Sequence, residues 1–125
     1  MKFNFALIIL LIGSIFVQSG CSNNDDLKQD ATKIGDAMCR SLHVMNQLKA
    51  ADPDDVVLVK KLRQNASSLQ EEMAILYKDF NKKWGDKTKK EAFQNQFRKE
   101  LRRAMLECKS LSKEDRETFT KELEE

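Results

Sequence analysis

The sequence predicts an all-α fold, an antiparallel three-helix bundle with a short fourth helix at the carboxyl end. Its 125 residues include one proline and four glycines, so few positions interrupt a helix. Three segments carry apolar side chains at alternating spacings of three and four residues, which places those side chains on one helical face. Pro53 and Gly85 lie between the segments, where a hairpin of helices needs a break. A long isolated coiled coil is the alternative fold, and these two breaks favour the bundle.

The first two helices are delimited by residues with known preferences for helix ends. Helix one is expected over residues 27–51. Gly35 inside it indicates close helix packing, since glycine costs about 1 kcal/mol against alanine in a helix interior. Asp52 is the expected N-cap of helix two, and Pro53 its first residue. Helix two is expected to end at Gly85.

The third helix is expected to begin with a capping box formed by Thr88 and Glu91 and to run to about Ser110. Ser112 then starts a pattern typical of another helix start. This short fourth helix has two large apolar residues, Phe119 and Leu123. A domain of this size buries roughly two-thirds of its unfolded surface, which predicts a modest core.

The first 20 residues have the composition of a cleaved export signal. Lys2 gives a positive start, and residues 5–17 are uncharged and mostly apolar. This run is shorter than the roughly 20 apolar residues that a membrane-spanning helix needs. The sequence therefore predicts a signal peptide over residues 1–20, a tether over 21–26 and a helical domain over 27–125. An uncleaved N-terminal anchor is the alternative.

Residues 17–21 (VQSGC) resemble the lipobox of bacterial lipoprotein precursors through Ser19, Gly20 and Cys21. Gln18 departs from that motif, which has an aliphatic residue there. The resemblance implies a diacylglyceryl group on the sulfur of Cys21 and usually an acyl chain on its amine. We expect no cofactor besides this covalent lipid. Because two or three chains hold a protein on a bilayer almost permanently, we expect the mature chain to be anchored through lipid.

Polar and acidic residues follow the cysteine over positions 22–26. Such a start resembles the export tag of surface lipoproteins of Bacteroidota. The residue after Cys21 is Ser22 and not the aspartate that marks retention at the inner membrane in enteric bacteria. Both resemblances imply the bacterial envelope, at the outer membrane. A plain flexible tether is the alternative interpretation of this segment.

Cys39 and Cys108 remain once Cys21 carries lipid, and an even pair outside the cytoplasm favours a disulfide. At 1.5 Å per residue, Cys39 lies about 18 Å above Leu27 on helix one, which rises about 36 Å in all. Helix two descends about 46 Å and helix three climbs about 30 Å, which brings Cys108 to about 20 Å above Leu27. The sulfurs fall at nearly the same level, so a Cys39–Cys108 disulfide is predicted. The alternative is a metal site that adds His43, four residues after Cys39, although no fourth ligand is apparent.

The sequence lacks the residue patterns that carry common enzyme chemistry. It has a single histidine, no glycine-rich phosphate loop, no HExxH and no CxxC. We therefore expect no enzyme activity, no small-molecule substrate and no metal site. Without residues 1–20, 21 Lys and Arg face 20 Asp and Glu, which gives no reason to expect nucleic acid. Six aspartates are interpreted as parts of the tether and as helix caps: Asp25, Asp26, Asp30, Asp52, Asp54 and Asp55.

One end of the predicted bundle is basic. Residues 78–103 carry ten Lys or Arg against four acids, most densely in the hairpin between helices two and three. This hairpin is expected at the same end as the tether, where it could contact membrane phosphates or a partner, with Trp84 among head groups. The alternative is that Trp84 closes the bundle end and the lysines are solvated. The hairpin residues are Lys82, Lys83, Trp84, Lys87, Lys89 and Lys90.

Residues 36–40 (DAMCR) and 105–109 (MLECK) resemble the small helical Cys-pair lipoproteins of Bacteroidota, a group that implies no activity. The architecture is also similar to the helical pilotin lipoproteins of type II secretion, which bind a helix of a secretin. Two functions therefore stay open. One is a structural envelope protein that contacts anionic lipid or lipopolysaccharide through the basic hairpin. The other is a protein-binding, assembly or chaperone module whose groove accepts a partner helix, with apolar residues off the main stripes: Val56, Val57, Leu58 and Tyr77.

Overall fold

The computed structural model describes the backbone of residues 5–125 and the side chains of residues 24–125. The predicted all-α class is confirmed, with three long helices and a short one at the carboxyl end. In chain order these are α1 (Phe5–Ala50), α2 (Val56–Trp84), α3 (Glu91–Leu106) and α4 (Lys113–Glu124). A single 3₁₀ turn, Gly85–Lys89, joins α2 to α3.

Helix α1 is the central element of the bundle. It packs against both α2 and α3, whereas no Cα atoms of α2 and α3 come within 8 Å of each other. The largest core cluster joins α1 to the end of α2, and half-buried side chains of α3 pack against it. Helix α4 folds back along α3 alone. The buried members of that cluster are Leu27, Ile34, Phe80 and Trp84.

Gly35 lies at a close approach between α1 and α3. A Cβ atom at this position would meet Cβ of Ala104 at 2.8 Å, and real Cβ atoms essentially never come so close. The side chain of Leu101 lies 3.6 Å from the same point. The expectation that Gly35 permits close helix packing is therefore confirmed, and its partner is α3.

Helix α1 begins at Phe5, earlier than the predicted start near Leu27, so the expected extended tether over residues 21–26 is helical. No proline interrupts the chain before Pro53. As a helix, these six residues span about 9 Å, about half the reach of an extended tether. The expected processing after Gly20 and the side chain of Cys21 lie outside the described residues.

The turn between α1 and α2 differs from the prediction in its cap. Asp55 is the N-cap of α2 and accepts a hydrogen bond from the backbone nitrogen of Leu58 at 3.0 Å. The Asp52 carboxylate instead accepts from the backbone nitrogen of Asp54, two residues on, which holds Pro53 inside the turn. The expected cap at Asp52 was wrong because its side chain is used in this local turn.

The predicted capping box at the start of α3 is also wrong. The Thr88 hydroxyl donates to the carbonyl of Gly85 at 2.7 Å and so belongs to the 3₁₀ turn. Lys90 is the N-cap residue of α3 and makes no side-chain cap bond. Gly85 ends α2 as expected, with φ of 49°, in the left-handed region that glycine favours.

Helix α3 ends at Leu106, one turn before the predicted Ser110, so Cys108 lies in the following turn. Arg116 of α4 closes this end, since its guanidinium donates to the carbonyls of Leu106 and Cys108. The predicted start of α4 is confirmed: the Ser112 hydroxyl accepts from the backbone nitrogen of Asp115 at 3.1 Å. These hydrogen bonds from Arg116 therefore fasten α4 to the end of α3.

Candidate functional site

A disulfide joins Cys39 of α1 to Cys108 after α3, as the heights along the helices predicted. The two Cα atoms are 5.6 Å apart, and Cys108 is buried with Met105 and Leu111. Both thiols are consumed by this bond, so the alternative metal site with His43 is wrong. Within residues 24–125, no three His, Cys, Asp or Glu side chains are grouped to hold a metal ion.

The fold brings one serine to the single histidine, which spacing along the chain did not indicate. Ser110 Oγ lies 3.3 Å from His43 Nδ1, on an exposed part of the surface. Asn46 also donates to the carbonyl of Ser110 at 3.3 Å, so the contact fastens the loop before α4 to α1. The histidine of a catalytic triad accepts support from a carboxylate that hydrogen-bonds to its ring. No described carboxylate makes such a bond to His43.

The basic end has exposed lysines around a buried tryptophan. Trp84 is 7% exposed, and its ring packs against Phe93 with centroids 5.2 Å apart. The interpretation in which Trp84 closes the bundle end is therefore confirmed. The exposed lysines are those named from the sequence: Lys82, Lys83, Lys87, Lys89 and Lys90.

Asp30 holds this end together, a role that its assignment to the tether and caps missed. Its carboxylate accepts from Trp84 Nε1 at 2.9 Å and from Lys83 Nζ at 2.8 Å. The hydrogen bond from Lys83 to Asp30 raises the pKa of that lysine. Asp30 lies between Leu27 and Ile34 at helical spacings of three and four, so it borders the buried face of α1. That spacing is the sequence pattern that could have revealed it.

Arg40 of α1 forms ion pairs with Asp36 of the same helix and with Glu72 near the middle of α2. Arg40 donates to both carboxylate oxygens of Glu72, at 2.6 and 2.8 Å, and to Asp36 at 3.1 Å. The hydrogen bond with Glu72 raises the pKa of Arg40, and the same bond lowers the pKa of Glu72. All three side chains are well exposed, so these ion pairs add little to the stability of the bundle.

Glu100 is the one charged residue buried in the described part of the chain, 7% exposed. Its Oε1 accepts from Gln96 at 3.0 Å and from Arg103 at 2.9 Å. With the disulfide it lines an open cleft of about 550 Å³ between α1 and α3. Both hydrogen bonds to Glu100 come from residues of α3, so this carboxylate stabilises α3.

A groove of about 260 Å³ opens between α2 and α3. Its floor is aromatic, because Phe80 reaches across to Phe97 with ring centroids 4.6 Å apart and to Phe93 at 6.1 Å. Only side chains bridge the two helices here, since their backbones stay apart. The lining residues are Tyr77, Phe80, Asn81, Thr88, Phe93, Gln94, Phe97 and Arg98.

The apolar residues expected to lie off the main stripes are exposed. Tyr77 on the groove wall is 38% exposed. At the opposite end, the first turn of α2 presents Val56 at 69%, Val57 at 81% and Leu58 at 40%. Met45 and Ile75 are exposed as well, which the sequence did not indicate, and Ile75 does not line the groove.

No protein-family model, curated protein or solved structure matches the chain. Within residues 24–125, no helix is long and apolar enough to cross a membrane.

Proposed function

We propose that this chain is a lipoprotein of the bacterial envelope, anchored through lipid on Cys21, and that it acts as a protein-binding or assembly module rather than as an enzyme. The observation that carries the proposal is the aromatic groove between α2 and α3, which no described part of the chain fills. The outer membrane is the proposed location, since residues 22–26 lack an inner-membrane retention pattern.

Export and anchoring are supported by the start of the chain and by the disulfide. Lys2, the apolar run over residues 5–17 and the small pair before Cys21 follow the order of a lipoprotein signal. The bond between Cys39 and Cys108 is typical of proteins in an oxidising compartment. Lipid on Cys21 places the membrane at the end of the bundle that carries Trp84.

Protein binding is supported by apolar surface that the bundle leaves uncovered. Tyr77, Phe93 and Phe97 are each only partly covered around the groove. An aromatic surface of this kind is common at binding sites, because rigid rings bury much area at low entropic cost.

Contact with anionic lipid is a second candidate function, favoured by the lysines of the basic end. Lys82, Lys87 and Lys90 are exposed and form no ion pair with a described residue. They lie at the end where the anchor enters, within reach of lipid phosphates. Such contact is salt-sensitive, whereas binding through the apolar groove persists at high salt.

The anchor is tested by labelling cells with radioactive palmitate and measuring the mass of the purified chain. We expect the wild type to incorporate label and to begin at Cys21. The Cys21→Ser variant is expected to stay unlabelled and to keep residues 1–20, because the lipid-bearing sulfur is absent. Cys39→Ser is the matched control and should be labelled as the wild type is. A wild-type chain that keeps residues 1–20 would contradict the proposal.

A further inference from the structure

The cleft between α1 and α3 has polar side chains around an apolar floor. Gly35 and Ala104 form the floor, where a Cβ atom on Gly35 would meet Cβ of Ala104. The disulfide borders the same cleft. Its volume of about 550 Å³ falls within the range of sites that hold small organic molecules, roughly 300–1,000 Å³. Such sites share a mostly apolar lining with a few placed polar groups that orient the ligand.

Glu100 is buried beside this cleft with half of its carboxylate unused. Its side chain is 8% exposed, and the hydrogen bonds that it accepts from Gln96 and Arg103 both end on Oε1. No described residue donates to Oε2, yet this oxygen is not sealed in the interior. Because Glu100 lines the cleft, Oε2 opens into it. A carboxylate oxygen so buried and without a donor costs free energy, which a bound molecule with a donor group would recover.

The same cleft offers a second acceptor and several donors. The Thr32 hydroxyl donates to the carbonyl of Lys28 at 2.8 Å, so its oxygen keeps lone pairs that can accept. The guanidinium of Arg103 donates to Glu100 and to no other described residue, although it carries several further N–H groups. A donor beside an acceptor, as Arg103 is beside Glu100, matches a hydroxyl group, which both donates and accepts.

The charges around the cleft balance. Two of its carboxylates, Glu100 and Asp36, are each paired with an arginine. Apart from these pairs, the charged lining residues are Lys28 and Glu107, which have opposite signs. A ligand with a net charge would therefore add an unbalanced charge to the cleft, which costs free energy. The balance favours a neutral ligand with hydroxyl groups.

We infer that the cleft binds a neutral sugar, whose hydroxyl groups donate to Glu100 Oε2 and accept from Arg103. The apolar C–H face of the sugar ring lies on the floor formed by Gly35 and Ala104. This inference concerns binding alone and is independent of the groove between α2 and α3, on which the proposed function rests. Spacing along α3 does not distinguish Glu100 from Glu91, and only the fold shows that Glu100 is buried.

The test is saturation-transfer difference NMR of the full lipidated chain in nanodiscs of zwitterionic phosphatidylcholine. The probes are four neutral sugars at millimolar concentrations: glucose, galactose, mannose and N-acetylglucosamine. We expect at least one of them to bind, with a signal that empty nanodiscs do not give. The positively charged amino sugar and the negatively charged uronic acid derived from it are expected to bind at least about threefold more weakly.

Three variants locate the binding. In Glu100→Gln the two hydrogen bonds at Oε1 keep the amide oxygen in place, so the amide NH2 replaces the acceptor Oε2. We expect this variant to bind the sugar at least about tenfold more weakly. Glu91→Gln is the matched control, because Glu91 lies on the same helix outside the cleft, and it should leave the affinity unchanged. Thr32→Val, at an exposed position, should weaken binding about threefold.

Three outcomes overturn the inference: none of the four sugars binds, as expected of a carboxylate that is only hydrated; Glu100→Gln binds as tightly as Glu91→Gln; or a charged derivative binds more tightly than its neutral parent. Circular dichroism confirms that each variant is folded. If Glu100→Gln does not fold, Thr32→Val decides, and an unchanged affinity overturns the inference. Failure here leaves the proposed function intact, because the groove is tested separately through Tyr77.

Discussion

Serine in place of Cys39 or Cys108 is expected to lower the free energy of unfolding by about 4 kcal/mol in the chain-entropy model. The two cysteines are 69 residues apart in sequence, so the bond closes a long loop and removes many conformations from the unfolded chain. It also joins α1 directly to the chain that follows α3. Such a loss is a large share of the stability of a small domain.

Urea unfolding followed by circular dichroism measures this effect, with and without a thiol reductant. Reduction should bring the wild type to the stability of Cys39→Ser. The double variant Cys39→Ser/Cys108→Ser is the control, and the reductant should leave it unchanged. Equal stability of wild type and Cys39→Ser under oxidising conditions would contradict the assigned role of the bond.

Alanine at Gly35 is expected to destabilise the bundle by about 1 to 3 kcal/mol, although alanine is the better helix former. The added methyl would lie 2.8 Å from Cβ of Ala104, a contact that neither short side chain can relieve by rotating. Helices α1 and α3 must therefore move apart, which loosens the packing of Leu101 beside the same point. Thermal unfolding of the two proteins measures the change.

A second substitution separates this clash from other effects. Ala104→Gly removes the methyl that Gly35→Ala would meet, so the double variant should recover most of the lost stability. Each helix then has exchanged one glycine for one alanine, which leaves the summed helix propensity nearly unchanged. A double variant as unstable as the sum of its two single variants would show that the close approach is not the cause.

Regular features of long helices could be predicted from the sequence. The apolar stripes located α1, α2 and α3 because a period near 3.6 residues persists over many turns. The rise per residue is constant, so heights summed along the helices brought Cys39 and Cys108 to one level. The helix caps were harder, since Asp52 and Thr88 each had several backbone partners within a few residues.

Features that depend on how the helices are rotated could not be predicted. The apolar faces of α2 and α3 both pack against α1. The angle between α2 and α3 about the axis of α1 decides whether a groove opens between them. The contact of Asp30 with Trp84 spans 54 residues, and that of Ser110 with His43 spans 67. Periodicity along α1 places Asp30 beside a buried face, but it does not indicate which residue of another helix Asp30 contacts.

The groove as a binding site for an envelope protein is tested most directly by photo-crosslinking of the lipidated chain in its own membranes. A photoreactive residue replaces Tyr77 on the groove wall and, as control, Ile75, which is exposed on the same helix outside the groove. The crosslinked products are identified by mass spectrometry. The account predicts one abundant envelope protein joined through position 77 and not through position 75. The same products from both positions, or no protein product from position 77, would contradict it.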